Sequence, residues 1–210
     1  MPSISKVMRM KLKKILICGD SFAANTLSTD DSWTHLMKSD FEITNKASPG
    51  VGEYKILQQV KSEKISKYDY IIISHTSPNR IHTLENPLYD EETHTYHSSD
   101  VLFNDCRNKL GKHPDADFLY NYFLKIFDLD YYEYIHMCCC RDIDELTKGH
   151  KTIHVTHFDW DGFYDFGKRF YNFYPIWEKN KGNINHYSAL GNRKIYEKIH
   201  TMINDVTIQT

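Results

Sequence analysis

The chain predicts an α/β fold whose parallel sheet is the middle of three layers, and three observations predict it. Residues 15–18 (ILIC) and 70–73 (YIII) are short, continuous apolar runs, the composition of strands buried on both faces. Segments with apolar residues near helical spacing lie between such runs. Small, polar and reactive residues gather where each run ends, as they do in open parallel sheets that bind ligands beyond their carboxyl edge.

The elements run in this order. Residues 15–18 are the first strand. Residues 32–38, around Trp33, Leu36 and Met37, read as a helix. Residues 41–44 alternate in polarity and read as the second strand. Residues 54–65 place Ile56, Leu57, Val60 and Ile65 near helical spacing. Residues 70–73 are the third strand, and residues 151–156, with Ile153 and Val155, the fourth. Residues 188–203 carry Leu190, Ile195, Ile199 and Met202 on a helical stripe. Strand and helix in alternation imply parallel pairing through right-handed crossovers. A long excursion, residues 79–149, separates the third and fourth strands. Its first part, to residue 117, is polar and rich in His, Asn and Asp. Residues 118–146 read as one or two helices with a break at Asp128, Leu129 and Asp130. An excursion of this length shapes a binding surface or a lid. The 210 residues suit a single domain (1–210) carrying this insertion at about 80–149.

Composition narrows the partners. A net charge of -2 points to neither nucleic acid nor an anionic membrane. Five cysteines, an odd number with no Cys-x-x-Cys pair and with 138–140 consecutive, indicate reduced thiols and a cytoplasmic setting. The basic N-terminal stretch is followed by an apolar run of residues 15–18 alone, too short for a signal-peptide core or a membrane span. His154 and His157, three apart on a predicted strand, face opposite sides and make no shared metal site.

The strand ends carry the chemistry. Gly19, Asp20 and Ser21 come after the first strand. Asn45, Ala47, Pro49, Gly50 and Gly52 come after the second. The third is followed by Ser74, His75, Thr76, Ser77, Pro78 and Asn79, and the fourth by His157, Asp159 and Asp161. His186 lies just before the last helix. Glycine permits a sharp turn at a strand end. Asp20 can accept hydrogen bonds from the loop and cap the next helix. Ser21 is expected near a helix start, where free N–H groups favour an oxyanion. A hydroxyl nucleophile needs a base and donors aimed at the tetrahedral intermediate. His186 can be the base, Gly50 a backbone donor and Asn79 an amide donor. Read blandly, Ser21 is a cap, Gly50 and Gly52 are turn glycines after Pro49, and Asn79 is a turn residue after Pro78.

These blocks together resemble the SGNH (GDSL) hydrolase family: "ICGDSF" around Ser21, "NKASPGVG" at 45–52, the turn after the third strand, and a late histidine before a helix. The resemblance implies a flavodoxin-like three-layer fold and a serine esterase without metal or organic cofactor. Carried over, it makes Ser21 the nucleophile with its own N–H in the oxyanion hole, Gly50 the second donor and His186 the base. The family's third block, Gly-x-Asn-Asp, is altered here to "SHTSPNR". Asn79 is chosen as the amide donor, with Ser77 or Thr76 as alternatives. The fourth block, usually Asp-x-x-His, reads Asn183-Ile184-Asn185-His186. Replacing the triad acid by an amide costs roughly 10⁴ in turnover in the well-studied case. Three readings are open. A Ser–His dyad is oriented by Asn183 or a backbone carbonyl, an acid from the Asp159/Asp161 loop reaches over, or the site is weak. The first is preferred. Asp20, His75 and Ser77 are the expected substrate-binding residues.

The aromatic segment 157–177 is either a loop packed by its own rings or a glycan or acyl-chain platform beside His186. The sequence therefore predicts an esterase acting on a short acyl group, such as acetyl, on a carbohydrate or related small molecule. Its rivals are a binding protein on the same fold and an O-acyltransferase.

Overall fold

The structure is a computed structural model, which describes residues 12–24, 32–90, 95–160, 162–182 and 186–204. In chain order its main elements are β1 (Lys14–Gly19), α1 (Trp33–Leu36), β2 (Glu42–Asn45), α2 (Glu53–Lys61), β3 (Tyr70–His75), β4 (Arg80–Ile81), β5 (Val101–Leu102), α3 (Phe103–Asn108), α4 (Ala116–Lys125), α5 (Leu129–Leu146), β6 (Thr152–Thr156), β7 (Phe170–Asn172), α6 (Tyr174–Lys179) and α7 (Ala189–Asn204).

Five of these strands form one sheet in the order β2-β1-β3-β6-β7, and every pairing in it is parallel. Counting sheet strands alone, this is the 2-1-3-4-5 order of doubly wound, flavodoxin-like folds. Successive residues on a strand face opposite sides, and here both sides are covered. Ile15, Ile17 and Ile72 pack with Trp33, Ile195 and Ile199 on the face of α1 and α7. Leu16, Cys18, Ile71 and Ile73 pack with Ile56, Leu57, Val60, Cys139 and Ile143 on the face of α2 and α5. Burying each such Leu or Ile side chain contributes about 1.5–3 kcal/mol, so the unbroken apolar runs dictate the middle layer.

The insertion folds on the α2 side. Its helical half is two helices. Asp128 ends the break by accepting from the backbone N–H groups of Asp130 and Tyr131, which caps α5. Its polar half forms the short antiparallel pair β4–β5 and the six-residue α3. Leu88, Val101, Cys106, Ala116 and Leu119 give this part a small core of its own.

Two local differences from the sequence reading stand out. Ser21 does not start a helix. It sits in a turn in which the N–H groups of Ala23 and Ala24 both donate to the Asp20 carbonyl, and the next described helix starts at Trp33. Segment 157–177 is more than a loop. Residues 170–172 add an edge strand to β6, and α6 comes next. That strand is three residues long and only partly covered, so it lacks the alternation that marks a longer one. The five cysteines are free thiols. Among the described residues no helix is long and apolar enough to cross a membrane.

Candidate active site

The site is built where the strands stop. Gly19 closes β1 beside Ser74 of β3. A Cβ at Gly19 would lie 2.5 Å from the Ser74 Cβ, so glycine is required here by close approach. Gln59, on α2, holds the same residue by both of its backbone polar groups, accepting from Gly19 N (2.7 Å) and donating to Gly19 O (3.1 Å). The chain then turns at once. Asp20 Oδ1 accepts from Phe22 N (3.1 Å), which fixes Ser21 at the outer edge of a tight turn. Asn45, at the end of β2, ties that turn down by donating from Nδ2 to Ala23 O (2.8 Å).

Asp20 is completely buried. Burial pushes its carboxyl up to about 6, against the pull of the Arg80 charge and the Phe22 N–H. Arg80 reaches inward from β4. Its Nε donates to Thr76 Oγ1 (3.2 Å) and its Nη1 to Gly50 O (3.0 Å). Gly50 itself has φ +72, in the left-handed region, and a Cβ there would meet the Ser99 Cβ at 2.6 Å. Beyond β3, Ser77 Oγ donates to Asn79 Oδ1 (2.6 Å), which leaves the Nδ2 end of that amide as the donor end.

Two histidines flank the residue after Ser21. The Phe22 ring stacks on His157, with centroids 4.8 Å apart and planes at 12°, and it lies 5.2 Å from the His186 ring. His157 Nδ1 is 2.7 Å from the Tyr187 hydroxyl, and that hydroxyl donates to Phe173 O (3.3 Å). A carbonyl can only accept, so the Tyr187 proton points to Phe173 and His157 Nδ1–H donates to the tyrosine oxygen. Burial, and then the charge of His186, pull the His157 imidazole down to about 3, so it is neutral at ordinary pH.

These elements surround one cleft of about 980 Å³ at the carboxyl edge of the sheet. Of the residues singled out in the sequence, Ser21, Gly50, Ser77, Asn79 and His186 all line it. Asp159, from the loop offered as an alternative source of the acid, lines it too. Asp20 and His75 are held behind the wall, both completely buried. His75 has its ring nitrogens engaged by Glu53 (2.7 Å) and His154 (2.9 Å). Asn183 and Asp161 lie outside the described residues. Sequence reasoning gave no role to Phe22 or Arg80, and it placed His157 at the end of the fourth strand and in a rejected metal pair without assigning it a task. The signal for His157 was its place one residue past β6. His154 and His157 do face different surroundings, His154 against His75 and Phe166 and His157 against Phe22 and Tyr187.

The rest of the lining is aromatic and polar. Trp160, Tyr174 and Trp177 supply rings, and Asn104, Arg107 and Asn108 of α3 supply polar groups.

The fold and this cleft define a doubly wound α/β protein with an open cleft at the carboxyl edge of its sheet, the place where such folds hold ligands. No family model matches the chain, and no curated protein matches it either. Among solved structures it is similar to a Bacteroides fragilis protein provisionally assigned as an acylhydrolase, with 14% identity over 93% of this chain and 88% of that one and a TM-score of 0.48. It is also similar to TesA, with 12% identity over 91% of this chain and 98% of that one and a TM-score of 0.47.

Proposed function

We propose that this protein is a serine esterase of the SGNH type, with Ser21 as nucleophile and His186 as general base. One observation carries the reading. Ser21, Gly50, Asn79 and His186 come from four separate segments of the chain, yet all line one cleft, with Phe22 packed against His186. His186 takes the proton of the Ser21 hydroxyl as its Oγ attacks the acyl carbon. The backbone N–H groups of Ser21 and Gly50 and the Asn79 amide hold the oxyanion. The proton then passes from His186 to the leaving alcohol. Water, deprotonated by His186, attacks the acyl-serine, and the acid is released with Ser21 restored. Asp20 acts behind Ser21 by shaping its turn. Ser77 acts by orienting Asn79.

The lining supports a short acyl group on a carbohydrate or a similar hydroxylated molecule. Tryptophan and tyrosine rings offer flat faces to C–H-rich sugar surfaces, and the planar side chains of Asn104, Arg107 and Asn108 offer hydrogen bonds to hydroxyls. A fluorophosphonate probe on the wild type and on Ser21→Ala, followed by a panel of nitrophenyl esters, tests the assignment. Labelling and acetyl-ester turnover are expected in the wild type and lost by at least about 10³-fold in the variant. Labelling that survives Ser21→Ala overturns the nucleophile. Absence of both signals from the wild type leaves a binding protein on this fold.

A further inference from the structure

A second cluster of reactive side chains lies behind the cleft wall and takes no part in the chemistry above. Glu53 opens α2, His75 ends β3, and His136 and Cys140 are one turn apart on α5. The donor atoms of Glu53, His75 and Cys140 all lie within 4.8 Å of one another, and all three residues are buried. We propose that this cluster is a structural zinc site, with Glu53, His75 and Cys140 as ligands and with His136, which stands outside that compact group but reaches the sulfur through Nδ1, swinging in as the fourth.

The spacing fits. The Cys140 sulfur is 3.8 Å from His75 Nδ1 and 3.6 Å from His136 Nδ1. Zinc–sulfur bonds of about 2.3 Å and zinc–nitrogen bonds of about 2.0–2.1 Å, at tetrahedral angles, put sulfur and nitrogen about 3.6 Å apart. One edge must open. Glu53 Oε1 and His75 Nδ1 are 2.7 Å apart, a hydrogen bond, against roughly 3.3 Å around a tetrahedral ion.

The surrounding shell fits as well. A ligating histidine normally has its other nitrogen held by a second group. His136 Nε2 is 2.9 Å from the Thr76 carbonyl, which fixes its proton there and turns the Nδ1 lone pair toward the sulfur. His75 Nε2 is held by His154 Nδ1 at 2.9 Å. Thr76 N–H donates to Glu53 Oε2 (3.2 Å), leaving Oε1 for the ion. Charge gives a third argument. The Glu53 side chain is 2% exposed, and its ion pairs are with two imidazoles. Buried charges are paired or coordinate metals. One carboxylate, one thiolate and a divalent cation sum to a neutral centre.

Protons balance on loading. The Cys140 thiol gives up one proton to solvent. The His75 proton, which donates from Nδ1 to Glu53 before loading, moves to Nε2 and then donates to His154 Nδ1, and the His154 proton moves in the same exchange from Nδ1 to Nε2. No electron moves. Mixed nitrogen, oxygen and sulfur donors in a closed, four-coordinate set select zinc over magnesium or calcium. The ion would tie α2, the end of β3 and the insertion's longest helix together directly behind Ser77–Asn79.

The test uses the full chain, expressed with zinc in the medium, desalted and analysed for metals by mass spectrometry. About one zinc per chain is expected. Exchange for cobalt(II) should add a thiolate-to-cobalt charge-transfer band, lost in Cys140→Ser and kept in Cys138→Ser, whose thiol is outside the cluster. If Cys140→Ser does not fold, Glu53→Gln is read in its place, with a loss of at least about tenfold in bound zinc. Less than about a tenth of an equivalent of zinc and no cobalt band in the wild type overturn the site in favour of a plain hydrogen-bond network. A band that persists in Cys140→Ser overturns it too. Esterase labelling of Ser21 is a separate readout and can stand or fall without it.

Discussion

Asp20→Asn tests whether burial or the neighbouring arginine governs the carboxyl under the proposed nucleophile. In the folded protein the Asp20 carboxyl is raised from 3.8 to about 6, with burial the larger cause and Arg80 opposing it. A rise of about two units corresponds to about 3 kcal/mol between the two protonation states. The folded chain holds this proton more tightly than the unfolded chain. The stability it contributes is therefore complete below 3.8 and is lost as pH rises through about 6. Asparagine can still accept from Phe22 N–H, but it does not titrate. Urea unfolding of both proteins at steps from about pH 4 to about pH 7 isolates the effect, because every other group cancels in the difference. The stability of the wild type relative to the variant should fall by up to about 3 kcal/mol across that window. A difference that stays flat within about 1 kcal/mol refutes the argument. A difference of the opposite sign would mean that the Arg80 charge outweighs burial and that Asp20 is ionised throughout.

The same geometry sets two further outcomes. Gly19→Ala should cost about 1–3 kcal/mol by pressing a Cβ on Ser74, and Ser74→Gly in the same molecule should restore part of it. Simple additivity of the two changes in urea unfolding counts against the close-approach explanation. The His157 ring, held neutral by burial, should show an NMR shift that is flat from about pH 5 to about pH 8, and a titration inside that range is the contrary result.

Much of the fold was legible because the buried strands leave an unambiguous mark. Residues 15–18 and 70–73 are apolar at every position, and both faces of β1 and β3 are covered in the structure. The break between the insertion's two helices was legible at Asp128, whose short acid side chain is a typical cap. The fifth strand was not. Phe170, Tyr171 and Asn172 pair with His154, Val155 and Thr156, a partnership set by the neighbouring strand and not by any pattern within three residues. At the candidate site, residues that sit immediately after a strand could be named in advance, but which of them face the cleft could not. His75 and Ser77 are two residues apart, and one is walled in by Glu53 and His154 while the other lines the opening. That division depends on α2 and α5, which come from distant parts of the chain. Likewise the role of Gly19 rests on the opposing Ser74, which no local reading of "CGDS" contains.

The insertion is built into the wall of the candidate cleft, and Asp100 is the reason. This residue is 2% exposed and stands just before β5. Its Oδ2 accepts from Gly52 N (2.6 Å), its Oδ1 pairs with Lys55 Nζ (2.8 Å), and its own N–H donates to Gly50 O (2.9 Å). Arg80, from the other strand of the pair, donates to the same Gly50 carbonyl. A buried carboxylate with these partners is costly to separate from them, because each would be left unsatisfied away from water. The turn that presents Gly50 and the polar wall that carries Asn104 and Asn108 therefore move together or not at all. If the protein is the esterase proposed above, selectivity for the alcohol side of a substrate and the placement of a backbone donor for its acyl side would both depend on this one local network. Changes to the insertion should alter turnover along with specificity.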